Sequence, residues 1–293
     1  MRGIMIIEAP SVLGLRPTGV EKLPNALDRA GLSRNLNARK AGSVGSGPYS
    51  RKRDPETGFL NAREIADYAR RLAAEIERVL EMGNFPLVLG GDCSILLGSM
   101  LALKRRGRHG LLFLDGHMDF YQVEANINGE VASSELALVT GRGPALLTTY
   151  DGDRPLVADE DVVAFGFRDE NEAQAYGSQP LPPTLKAFSL AEVRHLGADA
   201  ATREAIAVVS GQSTRGYWIH LDADVLDDTI MPAVDYRMPN GLSWSEIETV
   251  LRIALHHSKA AVGMQVTILN PTLDVDGKIV PAFVGMLSRS FAE

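Results

Sequence analysis

Apolar runs and helical apolar spacings alternate along this chain. Gly3–Ile7 reads as a first strand. Pro10, Gly14, Pro17 and Gly19 then mark an irregular loop. Val20, Leu23, Leu27 and Ala30 keep helical spacing, with Pro24 acceptable only in a first turn. Residues 31–58 interleave Arg34, Arg39, Lys40, Arg51, Lys52 and Arg53 with Gly, Ser and Pro, and predict a mobile polar loop. Its GSVGSG, Gly42–Gly47, fits neither the P-loop nor the dinucleotide fingerprint, and no strand precedes it. Asn61, with Glu64 three residues on, predicts a capped helix to about Met82, carried by Ile65, Leu72, Ile76 and Leu80.

The remaining pattern is strand and helix in turn. Phe85–Leu89 is a buried strand, Gly90-Gly91 a sharp turn, Ile95–Arg106 a helix and Leu111–Asp115 the next strand. Residues 121–160 are poorly patterned, apart from a helix near Ser134–Thr140. A strand is expected at Asp161–Phe167. Helices follow at Glu170–Tyr176, Ser189–Leu196 and Asp199–Ser210, then a strand at Gly216–Leu221. Ser243 with Glu246 opens a helix to about His257; Ala261–Leu269 is a last strand and 280–292 a closing helix. Short connections between strands and helices predict an α/β fold, three layers α-β-α around a mainly parallel sheet. No repeat or linker divides residues 1–293, so one domain is expected.

Charge narrows the function. Acidic residues outnumber basic ones 37 to 30, a net charge of −7, against the basic excess that a nucleic-acid footprint needs. The opening MRGIMIIEAP is too short for a signal peptide, and no run approaches the ~18 apolar residues of a membrane span. Cys93 is the only cysteine, so no internal disulfide forms. A cytoplasmic protein is expected, with neither nucleic acid nor membrane as partner.

The chemistry lies where two apolar strands end. LLFLDGHMDF, Leu111–Phe120, places Asp115, His117 and Asp119 at every second position. YWIHLDAD, Tyr217–Asp224, repeats the spacing with His220, Asp222 and Asp224. Alternation along extended backbone turns each triplet to one side. An aspartate at a strand end is often only a turn cap, but two such triplets point to a site for more than one divalent cation. Carboxylate oxygens with an imidazole suit a hard ion such as Mn²⁺.

Three turns in order, GGDCS (Gly90–Ser94), DGHMD (Asp115–Asp119) and DADVLD (Asp222–Asp227), resemble the GGDHS, DAHxD and DxDxxDP signatures of the arginase–agmatinase family of ureohydrolases. The resemblance covers most of the chain. It implies the arginase-like fold and two Mn²⁺ per chain. Asp115 and Asp222 would bridge the ions; Asp119 and residue 93 would complete one shell, His117 and Asp224 the other. It further implies hydrolysis of a linear C–N bond, not a peptide bond, in a small guanidino, amidino or formimino compound. A hydroxide activated between ions about 3.5–4 Å apart would attack, with Asp119 taking its proton, and urea or an amide would leave with an amine. Asp227 reads as an outer-shell group. A homotrimer or homohexamer follows by the same analogy.

Three positions depart from the family pattern. Cys93 stands where the family has histidine; it is open as a thiolate ligand drawing softer ions, a bystander, or a nucleophile. His220 stands where a small polar residue is usual; it is open as an extra ligand, a hydrogen-bond donor to an aspartate, a proton shuttle or a packing residue. No histidine follows the second motif before His195, and Ile268 occupies the position of the family's guanidinium-binding glutamate. Glu130 and Glu135 in GEVASSELAL, or Glu124, are the acids expected to bind substrate instead. The alternatives are a catalytically silent subunit or binder and a single-metal amidohydrolase.

Overall fold

The computed structural model describes residues 2–257 and 261–292. Eight strands form one sheet: β1 Ile4–Ala9, β2 Arg39–Ser43, β3 Phe85–Gly90, β4 Gly110–Leu114, β5 Val162–Phe165, β6 Lys186–Phe188, β7 Tyr217–Asp222 and β8 Ala261–Thr267. Their order is β2-β1-β3-β8-β7-β4-β5-β6, and every pairing is parallel. Successive residues of β1 serve opposite faces. Ile4 and Ile6 join one apolar cluster with helices Leu23–Arg29, Ala198–Val209, Trp244–His256 and Ile279–Phe291. Met5 and Ile7 join a second cluster with helices Ala62–Glu81 and Leu96–Arg105. Both faces are therefore covered, which is why the strands read as near-continuous apolar runs. The three-layer α-β-α arrangement is as the pattern predicts.

The connection from β3 to β4 fixes where a ligand fits. The chain leaves β3 and returns three positions away, because β8 and β7 lie between them. In open parallel sheets the crevice at such a switch point, beyond the strands' carboxyl ends, is where sites form. The four central strands β3, β8, β7 and β4 are those that end in GGDCS, Thr267-Ile268, DADVLD and DGHMD.

Several expectations need correction. Residues 31–58 are not all loop: Leu32–Asn35 makes a helical turn and Arg39–Ser43 is the edge strand β2. Its side chains are exposed or half-exposed, so no apolar alternation announces it; backbone pairing to β1 makes the strand. The edge strand β6 was likewise unmarked, being three residues long. Asn61 sits at the start of helix Ala62–Glu81 but does not cap it by its side chain. Its amide spans other segments, accepting from Ser50 N–H (2.6 Å) and donating to the Leu13 carbonyl (2.9 Å). Ser243 and Glu246 do form a reciprocal capping box, as do Ser189 and Glu192. Pro24 lies in the first helical turn, where its missing N–H costs nothing.

Gly91 is required by close approach rather than by its torsion. A Cβ there would lie 1.7 Å from the Ser11 carbonyl oxygen, which itself accepts from Asp92 N–H at 3.0 Å. Gly91→Ala is expected to push the Cys93 turn off this backbone and to destabilise the fold by about 2–4 kcal/mol. Urea unfolding would measure it; a cost below ~0.5 kcal/mol would contradict this reading of the turn.

Candidate metal centre

Asp92 opens the first ligand-bearing turn by accepting Ser94 N–H on Oδ1 (2.9 Å), which starts the 3₁₀ turn Cys93–Ile95 and faces Cys93 inward. Asp222 repeats the device at the end of β7, accepting Asp224 N–H on Oδ1 at 2.7 Å. Asp115 accepts His117 N–H at 2.7 Å. Such Asx turns leave one carboxylate oxygen free to face the crevice. Asp119 adopts φ 43°, and this left-handed backbone keeps its side chain beside the other two of its triplet.

Residues far apart in the chain meet at this edge. The Cys93 thiol donates to Asp222 Oδ2 at 2.7 Å and lies 3.1 Å from Thr267 Oγ1. His117 Nδ1 is 3.0 Å from Asp224 Oδ2 and 3.7 Å from Asp115 Oδ1. His220 Nε2 is 3.6 Å from Asp115 Oδ2. One ligand atom each of Asp115, His117 and Asp224 fall within 4.8 Å of one another, as do those of Cys93, Asp115, Glu135 and His220. A cavity of about 290 Å³ opens over the cluster, walled by His117, Asp119, Asp222 and Asp224 and by Arg16, Tyr121, Asp169, Glu172 and Ile268.

The charge balance is unfavourable without a cation. Burial, with repulsion from Asp224 and Asp115, pushes the Asp222 carboxyl well above its usual range. Burial and then Glu135 and Asp115 do the same to Asp119. Burial and Asp115 raise Glu135, and burial with Asp222 raises the Cys93 thiol. Burial also acts upward on Asp115, but His117 and His220 outweigh it and hold this carboxyl below the ordinary range. Burial works against a charged His117, yet Asp224 and Asp115 raise it. Asp115 Oδ2 and both Glu135 oxygens are buried with no hydrogen-bond partner among the described residues. Buried carboxylates without donors or counter-charges are costly, and a divalent ion removes that cost. The donor set fits such an ion.

The expected acids and the second histidine sit elsewhere than the cavity wall. Glu130 is fully buried, held by Arg16 Nε (2.5 Å), Asn128 Nδ2 (2.7 Å) and Tyr236 Oη (2.9 Å), so it braces the loop. Glu135 is fully buried beneath the cluster, and Glu124 is exposed. The acids that do line the cavity beyond the metal-grade set are Asp169 and Glu172. Burial holds Asp169 up at about 6, and its carboxylate accepts Met118 N–H at 3.1 Å.

His220 is fully buried and stacked on Phe113, centroids 4.6 Å apart and planes 8° from parallel. Trp218 Nε1–H and Ser99 Oγ–H both donate to Gln265 Oε1, at 3.1 and 2.6 Å. Indole is a donor only, so the Gln265 amide cannot turn over; its NH₂ faces His220 Nδ1 at 2.7 Å. Nδ1 is therefore the acceptor, and the proton of the neutral ring sits on Nε2, aimed at Asp115.

Sequence reading missed Arg168. Its guanidinium donates to the carbonyls of Asp224 (2.9 Å), Leu226 (3.2 Å), Met238 (2.9 Å) and Pro239 (3.0 Å). A Cβ at Gly116 would meet Arg168 Nη1 and the Asp224 carbonyl, each at 2.7 Å, so glycine there admits the clamp. Only the five-donor fork of arginine serves so many acceptors. Arg168→Met should cost about 3 kcal/mol or more and loosen the Asp224 turn, read by urea unfolding and by weaker ion uptake. An unchanged ion affinity would show that the clamp is not needed to hold Asp224.

An eight-stranded parallel sheet with this ligand edge at its switch point is the arginase-like α/β fold. The arginase from Bacillus caldovelox has it, with a TM-score of 0.88 at 27% identity, covering 100% of this chain and 99% of that one. The agmatine ureohydrolase of Thermoplasma volcanium shares the fold at a TM-score of 0.72 and 18% identity, over 99% of this chain and 89% of that one. The chain belongs to the arginase family, whose model matches residues 2–290. An arginase of Staphylococcus aureus (strain MRSA252) is 28% identical over 300 residues, which covers 100% of this chain and 98% of that protein.

Proposed function

We propose that this chain is a metal-dependent hydrolase of a linear C–N bond in a small guanidino or amidino compound. The observation that carries the reading is the convergence of Asp115, His117, Asp119, Asp222 and Asp224 from two strand ends beneath one cavity. These residues, with Cys93, would hold a pair of divalent ions; the hardness of the Asp115–His117–Asp224 set favours manganese on that side. Such a pair supplies an acidified water at neutral pH and neutralises negative charge.

The chain's own groups do the rest. The Asp119 carboxylate accepts the water's proton and returns it to the departing amine nitrogen. Asp169 and Glu172 give the wall the negative charge that a cationic amidine needs, in place of the absent glutamate at 268. His220 acts through Asp115: its Nε2–H faces the carboxylate and orients it, so the residue is a positioning group and not a shuttle. The apolar Ile268 on the cavity wall favours a substrate other than a plain alkylguanidine.

The test is release of urea, formamide or ammonia from a panel of guanidino, amidino and formimino compounds, using protein loaded with Mn²⁺. Turnover that a chelator abolishes supports the reading. A silent panel with ions bound would favour a non-catalytic binder.

A further inference from the structure

Glu135 has no role in the hydrolysis outlined above, and its setting is hard to explain without a ligand. It begins the short helix Glu135–Val139, is fully buried, and leaves both carboxylate oxygens without a hydrogen-bond partner among the described residues. Its charged neighbours are Asp115, Asp119 and Asp222, all acidic, and the one hydrogen bond open to it is a proton shared with the Asp119 carboxyl. The loop before it is tied in place. Asn126 Nδ2 donates to the Glu130 carbonyl at 2.7 Å and to Ser134 Oγ at 2.9 Å, while Asn126 Oδ1 accepts Gly129 N–H at 2.8 Å. The acid is therefore delivered to the cluster by ordered backbone.

What it is delivered to is the side of the cluster where Cys93 stands. One ligand atom each of Cys93, Asp115, Glu135 and His220 lie within 4.8 Å of one another, and all four residues are buried. Ligand atoms about 2.0–2.3 Å from one tetrahedral ion would lie somewhat closer together than that. A small inward movement is enough to close the seat. Of the four, His220 is the one whose ring nitrogen is not free, since the Trp218–Gln265 relay leaves the proton on Nε2.

We propose that Glu135 is a metal ligand which, with Cys93 and Asp115, makes a buried seat for a borderline-soft divalent ion such as zinc or cobalt(II). His220 stands beside this seat with Nε2–H facing Asp115 Oδ2 at 3.6 Å, beyond hydrogen-bond distance. On binding, the Cys93 thiol gives its proton to solvent and the sulfur donates as thiolate. A carboxylate thus enters from a second segment of the chain where position 93 offers no imidazole. The harder seat formed by Asp115, His117 and Asp224 stays as it is. The inference rests on the reading that this cluster binds divalent ions, but not on any substrate.

Cobalt(II) is the probe. The full chain, stripped and reloaded, is expected to show the intense near-ultraviolet charge-transfer band of a cobalt–thiolate bond, and elemental analysis to count the ions. Cys93→Ser should abolish the band. Glu135→Gln, nearly isosteric, should weaken one ion by at least ~100-fold and leave the other. His117→Ala should do the reverse and keep the band, and His220→Asn should leave the count unchanged. Unfolding of the chelated protein is an independent readout. Glu135→Gln and Glu135→Met should raise its midpoint if the carboxylate awaits an ion, and lower it if the acid is only a proton-sharing structural group. Wild-type affinities in Glu135→Gln, or no thiolate band in the wild type, would overturn the proposal while leaving hydrolysis untouched. A silent substrate panel alongside an intact band would overturn the hydrolase reading alone.

Discussion

Asp222→Asn is expected to abolish divalent-ion uptake while making the metal-free protein harder to unfold. The two effects have one cause. Asp222 is buried, and its carboxyl is driven up first by burial and then by Asp224 and Asp115. An asparagine keeps its geometry: the amide oxygen still accepts Asp224 N–H, and the amide NH₂ faces the Cys93 sulfur that now donates to Oδ2. The substitution removes one negative charge from a site with too many, which should stabilise the chelated protein by about 1–3 kcal/mol at neutral pH. It also puts an amide nitrogen, which cannot bind a cation, where the carboxylate oxygen Oδ2 stands. The loss of turnover should exceed the ~10–100-fold that removal of an outer-shell partner costs. Thermal unfolding with chelator, and elemental analysis without it, measure the two halves. A chelated variant less stable than wild type would mean that the cluster is not under electrostatic strain.

The second large effect is a stability–pH slope that changes sign with metal. Asp119, Glu135, Asp222 and Asp169 all hold their protons more tightly folded than unfolded, and so does His117. For such groups the folded state binds more protons, so stability is fully present below the unfolded value and is lost as pH rises through the folded one. Asp115, held low, is the opposing contribution. Asp169 alone, at about 6 when folded, should account for roughly 2–3 kcal/mol between the ordinary carboxylate range near 4 and its folded value. The chelated protein should therefore lose stability steadily as pH rises from ~4.5 to ~8. With saturating divalent ion the protons are displaced from Asp119, Glu135, Asp222 and His117, leaving only Asp169 of this group, and the slope should reverse. Differential scanning calorimetry at several pH values tests this directly. A chelated protein that gains stability over that range would refute the charge account of the cluster.

How far the chain could be read from residues alone varied with the kind of signal. Strands β1, β3, β4, β5, β7 and β8 were legible because both sheet faces are buried, which leaves long apolar runs. The capping box at Ser243 was legible because its partner lies three residues away; the box at Ser189, with the same spacing, is added by the structure. β2 was hidden: its sequence RKAGS carries no apolar face, and a neighbouring strand makes it one. Asn61 carried a cap signature, yet its amide is drawn to Ser50 and Leu13, which no local pattern reveals.

The same division runs through the site. Sequence spacing grouped Asp115 with His117 and Asp119, and Asp222 with Asp224, but not for the expected reason: β4 ends at Leu114 and β7 runs into a 3₁₀ turn after Asp222, so Asx turns and the left-handed Asp119, not extended backbone, hold each group together. It also marked Cys93, His220 and Ile268 as departures from the family pattern. Sheet order alone brought the two triplets together, by pairing β7 directly with β4. Long-range packing alone put Glu135 beneath the cluster instead of on the cavity wall, and gave Arg168 its carbonyls. It also fixed the His220 proton through an indole and an amide on neighbouring strands. Spacing along a strand is decided by backbone geometry that every residue carries with it. A contact between distant segments depends on where other segments run, and that is decided only when the whole chain closes.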